Sequence, residues 1–209
     1  RPDLAMAHIL PHWTWPGREG QVTPVHVFTS GDEAELFVNE KSQGRKKKGP
    51  FEYRLRWDDV VYQPGAVRVE AYKDGKPWAS ATTYTADTPA KLEAMADRSE
   101  IRGDGLDLSF VTVRIVDAEG RPAPTTNNRI RYRVEGPGEI VATDNGDPTD
   151  MTSFASHERN AFNGLGLVIV RSLPGQSGTI TLHAESDTLQ GTTITVRAAS
   201  VPPTGESNE

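Results

Sequence analysis

The sequence predicts an all-β protein that consists of two tandem immunoglobulin-like β-sandwich domains. Runs of β-branched and aromatic residues recur at a spacing of about ten residues, with Gly, Pro, Asn and Asp turn signals between them. The length of 209 residues suits two sandwiches of about 100 residues each. No segment combines a 3.6-residue apolar period with helix-capping residues, so we expect little helix.

The first half of the chain contains five strand-like runs. They cover residues 22–29, 34–38, 51–57, 66–72 and 77–85. In the third run, Phe51, Tyr53, Leu55 and Trp57 alternate with polar residues. This period of two predicts a strand with those four side chains on its buried face. The Asp74-Gly75 pair between the last two runs predicts a tight hairpin.

The strand pattern breaks near residues 86–90 and then restarts. The later runs cover residues 90–96, 107–117, 129–134, 139–143, 165–172, 179–186 and 192–198. We therefore predict one sandwich over residues 1–88 and a second over residues 89–200. Residues 201–209 are polar and rich in Pro and Gly, a composition that predicts a disordered tail.

Composition excludes several classes of function. The chain has no cysteine, so it has neither disulfides nor thiol chemistry. A net charge of −6 argues against nucleic acid as a partner, because such proteins carry concentrated positive charge. The one basic run, residues 45–48, lies between glycines and predicts a solvated surface turn. No apolar stretch approaches the roughly 20 residues that span a bilayer, so no membrane contact is predicted.

The sequence offers no convincing catalytic or metal-binding motif. His8 and His12 have a spacing seen in zinc-binding helices, but Pro11 lies between them. The loop at residues 144–147, Asp-Asn-Gly-Asp, is similar to a calcium turn but lacks the spaced ligands, so a tight turn bonded to its own backbone is the better interpretation. Acidic residues fall mostly in turns or at alternating solvent positions, so we predict no catalytic residue, metal or cofactor.

A tryptophan pair is the strongest candidate for a binding site. Residues two apart point to one side of an extended strand, so Trp13 and Trp15 would share a face. If exposed, they would form an aromatic platform for a sugar ring. If buried, they would fill the core or an interface with a neighbouring domain. The sequence favours core or interface, and it leaves Trp13 and Trp15 as the carbohydrate-binding candidates. Trp57 and Trp78 are predicted to lie in the core.

Long ordered segments in both halves resemble the C-terminal domains of bacterial family 2 glycoside hydrolases of the β-galactosidase type. In the first half these segments are residues 8–15, 25–30, 33–39, 60–65 and 71–76. In the second half they are residues 97–98, 104–113, 144–147 and 159–165. The resemblance covers about residues 5–200. It implies that each half is an immunoglobulin-like sandwich and that the parent enzyme cleaves β-linked galactose or a related sugar by a retaining mechanism.

The resemblance also implies that the chemistry lies elsewhere in the parent. The two catalytic glutamates of that family belong to a barrel that this chain lacks, and no position here matches them. The implied partners are that barrel and the parent's other domains, and the implied location is the bacterial periplasm or exterior. The leading prediction is a non-catalytic accessory region. Two alternatives remain open: a carbohydrate-binding module, and adhesin-like immunoglobulin domains of a bacterial surface protein.

Two local features of the second half also carry expectations. Arg159 is expected to reach carboxylates or carbonyls of the loop at residues 144–147 and to fix its structure. Gly164 and Gly166 stand in a strand-like run, which suggests a bulge or a close approach of another backbone.

Overall fold

The computed structural model describes residues 2–200, and the predicted tail at 201–209 lies outside this range. Sixteen strands form four sheets, and no helix occurs in the described range, which confirms the all-β class. In residues 2–200 no helix has the length and apolarity needed to cross a bilayer. The chain divides into two compact units, of which the first ends at Ala86 and the second begins at Asp87.

The first unit is a sandwich of two antiparallel sheets. Its strands are β1 (Ala7–Leu10), β2 (Val25–Thr29), β3 (Glu33–Val38), β4 (Lys41–Lys47), β5 (Arg54–Trp57), β6 (Ala66–Lys73) and β7 (Lys76–Tyr84). One sheet has the order β1-β2-β5 and the other β4-β3-β6-β7. Alternate side chains of each sheet point inward, because successive residues of a strand face opposite sides. The buried core contains Val27, Leu36, Trp57 and Val69.

Two predicted elements of the first unit differ in the structure. The basic run at residues 45–48 is not a surface turn: residues 45–47 belong to β4, an edge strand that pairs with β3 through a bulge. Exposed lysines are common on edge strands because their charge deters pairing with another chain. The predicted strand 51–57 is shorter, since β5 starts at Arg54 and leaves Phe51 and Tyr53 outside the sheet.

The second unit is also a sandwich. Its strands are β8 (Lys91–Ala96), β9 (Glu100–Arg102), β10 (Leu108–Val116), β11 (Arg129–Glu135), β12 (Gly138–Asp144), β13 (Glu158–Asn160), β14 (Leu165–Ser172), β15 (Gly178–Glu185) and β16 (Thr192–Ala199). The sheets have the orders β12-β14-β10-β8 and β13-β11-β15-β16-β9. All pairings between these strands are antiparallel except β9 with β16. Val113, Val168, Ile130 and Leu182 lie in the buried interior.

The two glycines singled out by the sequence do lie where other groups approach closely. Gly164 has a φ of +74° in the turn before β14, and a Cβ atom there would come within 2.4 Å of the Ala123 carbonyl oxygen. A Cβ atom on Gly166 would come within 2.6 Å of the Tyr132 hydroxyl. The predicted close backbone approach therefore applies to Gly164, and at Gly166 the neighbour is a side chain.

Candidate functional site

Trp13 lies in the core of the first unit. Its side chain is 0% exposed and meets the Tyr62 ring edge-on, with the ring centroids 5.1 Å apart. Its indole Nε1–H donates to the Gln63 carbonyl at 2.9 Å, and its own carbonyl accepts from the Thr85 hydroxyl at 2.5 Å. A buried indole N–H needs such an acceptor, so Trp13 is a satisfied core residue.

Trp15 lies at the rim of the same core. Its ring stacks on His12 with 4.1 Å between centroids, and its Nε1–H donates to the His12 carbonyl at 2.9 Å. Its backbone N–H donates to the Tyr62 hydroxyl at 3.2 Å. Burial lowers the pKa of His12, so the stacked imidazole is held neutral near pH 7. Trp15 is half-buried, and its ring is already stacked on His12.

Trp13 and Trp15 do not form an exposed two-tryptophan platform in this structure. The segment at residues 11–15 is irregular rather than extended, so Trp13 and Trp15 do not share a strand face. A fully buried indole has no free face for a sugar ring. Trp13 fits the core interpretation, as does Trp57, whereas Trp78 is half-buried and donates to the Ser30 hydroxyl at 2.9 Å.

The exposed aromatics of the first unit lie on another surface. Pairing of β2 with β5 places Phe28 opposite Arg54 and His26 opposite Arg56, so these four side chains point away from the core. Phe51 and Tyr53, in the segment before β5, are 92% and 82% exposed. Phe51, Tyr53, Phe28, Glu52, Arg54 and Arg56 together line a shallow groove of about 500 Å³. We call this surface the aromatic groove.

Phe51 is presented by a strained turn. Residues 49–52 form a turn in which the Glu52 N–H donates to the Gly49 carbonyl at 3.2 Å, and the Gly49 N–H donates to the Glu52 carboxylate at 2.6 Å. Pro50 occupies the second position, and Phe51 occupies the third with a φ of +64°. Glycine is the usual residue at this position, because a side chain in the left-handed region costs energy. An exposed aromatic residue is held where glycine would be more stable.

One of the two arginines of the aromatic groove has a carboxylate partner and the other has none among the described residues. Arg56 pairs with Asp58 at 2.9 Å, whereas the Arg54 guanidinium has no carboxylate or hydrogen-bond partner among the described residues. Burial, followed by the positive charges of Arg54 and Arg56, lowers the pKa of His26, and Asp58 opposes this change. The groove thus contains one unpaired cation beside exposed aromatic rings.

The second unit has a polar cleft built on a buried arginine. The Arg159 side chain is 2% exposed and contacts the Asp150 carboxylate at 2.6 Å. It also donates to the carbonyls of Thr152 and Ser153 at 2.9 and 3.0 Å. The sequence predicted that Arg159 contacts carboxylates or carbonyls of the loop at residues 144–147, and this loop assignment is wrong. The carboxylate and carbonyls that it contacts belong to residues 150–153. The adjoining cleft has a volume of about 570 Å³.

The loop at residues 144–147 is a turn bonded to its own backbone, as the sequence predicted. The Asp144 carboxylate accepts from the N–H groups of Asn145 and Gly146 at 2.7 and 3.2 Å. The Asp147 carboxylate accepts from the N–H and hydroxyl of Thr149 at 2.9 and 2.8 Å.

Several carboxyl groups of the described residues have a lowered pKa. Hydrogen bonds from the hydroxyl and N–H of Thr152, together with Arg159, lower the pKa of Asp150 to about 2. Asp117, fully buried, accepts from the N–H groups of Asp87 and Arg121, and these bonds lower its pKa despite burial. Acid catalysis of glycoside cleavage needs a carboxyl with a raised pKa. Each resolved carboxyl shift in residues 2–200 is downward.

Comparisons with known proteins identify the family of this chain. Residues 92–195 match the family described as glycoside hydrolase family 2 C-terminal domain 5, and residues 20–79 match a domain of unknown function, DUF4982. The chain is 38% identical to a β-galactosidase of Bacteroides ovatus over 94% of its own length and 23% of the relative. The chain belongs to the C-terminal region of family 2 glycoside hydrolases. This confirms the resemblance found in the sequence.

Other relatives of this family 2 region carry different activities in their names. A β-glucuronidase of Formosa agariphila is 26% identical over 95% of this chain and 20% of the relative. A crystal structure of a β-glycosidase from Bacteroides vulgatus superposes with a TM-score of 0.88 at 30% identity, over 94% of this chain and 25% of that one. The chain thus spans about a quarter of the length of the glycosidases that it matches.

The sequence missed the aromatic groove. Alternation over residues 51–57 placed Phe51 and Tyr53 in the core, where the structure has only Leu55 and Trp57 of that run. The Gly49-Pro50 pair was the available signal, because such a dipeptide marks a turn and breaks a strand.

Proposed function

We propose that this chain is a non-catalytic accessory region of a bacterial family 2 glycosidase that cleaves β-linked galactose or a related sugar. The observation that carries the proposal is the match of the chain to about one quarter of named glycosidases, through a family described as C-terminal. In this proposal the catalytic barrel lies elsewhere in the parent, and the two sandwiches support it.

The chemistry of the described residues supports a non-catalytic role. The polar cleft of the second unit contains Asp147, Asp150 and Glu158. Each of these carboxylates already accepts hydrogen bonds from the protein: Asp147 from Thr149, Asp150 from Arg159, and Glu158 from Arg129 at 3.2 Å. Hydrolysis of a glycosidic bond requires one carboxyl to donate a proton to the leaving oxygen. The pKa of Asp150 is lowered to about 2, so this carboxyl is ionised at neutral pH and cannot supply that proton.

The test is hydrolysis of nitrophenyl β-galactoside and β-glucuronide by the isolated chain. We expect no turnover above the buffer rate in a preparation shown to be folded by circular dichroism. A Glu158→Gln variant serves as the control for contaminating enzyme. Turnover that is present in the wild-type chain and lost in this variant would contradict a non-catalytic role.

The proposed location of the parent enzyme is the periplasm or the cell exterior, which rests on the family resemblance alone. Fractionation of the native bacterium, with an antibody against this chain, tests it. Recovery of the protein with cytoplasmic markers would refute the proposed location.

A further inference from the structure

The aromatic groove of the first unit has the features of a ligand-binding surface rather than of ordinary exposed surface. Single exposed apolar residues are common in proteins, but Phe51 and Tyr53 are neighbours and both are more than four-fifths exposed. They line one groove together with Phe28. Its volume of about 500 Å³ lies within the ~300–1,000 Å³ typical of small-ligand sites.

The strain at Phe51 is a second, independent observation. A bulky residue with positive φ is an outlier, and such strain clusters at ligand-contacting positions. Folding alone would favour glycine after Pro50, because the ring of Phe51 gains almost no burial in return. The strain therefore indicates that the exposed ring serves a purpose other than stability.

The charged groups of the groove define the chemistry of the ligand. Arg54 is the unpaired cation, and its planar fork suits two parallel hydrogen bonds to one carboxylate. Glu52 also lines the groove, and Asp58 already pairs with Arg56, so Arg54 is the cation left for a ligand carboxylate. The flat rings of Phe51 and Tyr53 suit the apolar face of a sugar ring.

We infer that the aromatic groove binds a carbohydrate chain that bears a carboxylate, with a sugar ring against Phe51 and Tyr53 and a uronate carboxylate on Arg54. This activity goes beyond the proposed accessory role and does not depend on it. The proposed site lies on the face of β5 that points away from the core, and it does not include Trp13 or Trp15. A parent enzyme would gain a site that holds an acidic glycan near its other domains.

The experiment is calorimetric titration of the 209-residue chain with tetragalacturonate, and in parallel with a neutral galactotetraose and a sulfated disaccharide. We expect saturable binding of the uronate, at least about tenfold tighter than that of the neutral sugar, and weaker at high salt. The Tyr53→Ala and Arg54→Gln variants should each weaken uronate binding by about tenfold. Both side chains are exposed, so neither variant should change the unfolding midpoint.

Matched controls keep the test specific. Lys41→Gln removes an exposed positive charge from β4, and Leu106→Ala truncates an exposed apolar residue of the second unit. Both should bind uronate like the wild type. A direct readout is the His26 ring, whose pKa should rise when a carboxylate neutralises Arg54; NMR titration of its ring protons measures this.

Three results would overturn the inference. One is no binding of tetragalacturonate at millimolar concentration to the folded chain. Another is equal affinity for the neutral sugar, which would remove the role of Arg54, or for the sulfated sugar, which would remove the preference for a carboxylate. The last is binding that survives Tyr53→Ala and Arg54→Gln, which would place the sugar on another surface. None of these outcomes bears on whether the chain lacks hydrolytic activity, so the two proposals fail separately.

Discussion

Replacing Arg159 with alanine should lower the stability of the second unit without affecting the first. The guanidinium is almost fully buried and makes one ion pair and two carbonyl contacts with residues 150–153. Removing one partner of a buried pair costs about 3–5 kcal/mol. Asp150 keeps donors from Asn145 and Thr152, so we expect the lower end, about 3 kcal/mol. At about 4 °C per kcal/mol for a domain of this size, the midpoint should fall by roughly 12 °C.

The distribution of tryptophans provides the assay. All four, at positions 13, 15, 57 and 78, belong to the first unit. Tryptophan fluorescence therefore reports unfolding of that unit alone, whereas calorimetry reports both. Arg159→Ala should lower one calorimetric transition and leave the fluorescence transition in place. Arg171→Ala is the matched control, because its pair with Glu139 is solvent-exposed and should contribute less than about 1 kcal/mol.

The pH dependence gives a second check on the same network. The pKa of Asp150 is lowered to about 2 in the folded chain, below the value of about 3.9 for an unfolded aspartate. A lowered carboxyl pKa stabilises the fold above pH 4, and this contribution is lost as the pH falls towards 2. The stability difference between wild type and Arg159→Ala should therefore narrow from pH 5 to pH 2. An Arg159→Ala midpoint no lower than that of Arg171→Ala would refute the reasoning.

Three further predictions concern single residues. Phe51→Gly should raise the stability of the first unit by about 1 kcal/mol in urea denaturation, because it relieves a positive φ without loss of buried surface; a decrease would show that the ring packs against the fold. Trp13→Ala should cost about 3–5 kcal/mol and Trp15→Ala clearly less, as measured by circular dichroism, since only Trp13 is fully buried; equal losses would contradict this. Gly164→Ala should lower the calorimetric midpoint of the second unit, because its Cβ would collide with the Ala123 carbonyl, and an unchanged midpoint would count against that geometry.

Much of the fold follows from local sequence patterns. Period-two alternation located most of the strands, and β14 has the limits that its pattern predicts. Asp74-Gly75 forms the predicted hairpin turn, with both residues at positive φ. Such features depend on residues close in sequence, which is why the sequence alone reveals them. The short strands β9 and β13 are the counterexample, because three residues carry no readable alternation.

The candidate site was harder to predict because burial depends on the whole sandwich. The sequence assigned Phe51 and Tyr53 to the core, and for Trp13 and Trp15 it favoured the core or an interface but left an exposed platform open. In the structure Trp13 packs against Tyr62 and donates a hydrogen bond to the Gln63 carbonyl. Both partners lie about fifty residues away in the sequence. No local pattern encodes such a contact.

The same limit applies to Arg159. The sequence suggested that it contacts the loop at residues 144–147. Its carboxylate partner is Asp150, because residues 150–153 are the ones that run past the guanidinium. The sequence identified the arginine and the type of group it contacts, and the fold selected which residues supply them.

The accessory role is tested most directly by the unfolding temperature of the whole parent enzyme with and without this region. If the two sandwiches support the catalytic part, the truncated enzyme should unfold at a lower temperature and lose activity in parallel. Unchanged unfolding temperature and unchanged kcat/KM after the truncation would contradict the account.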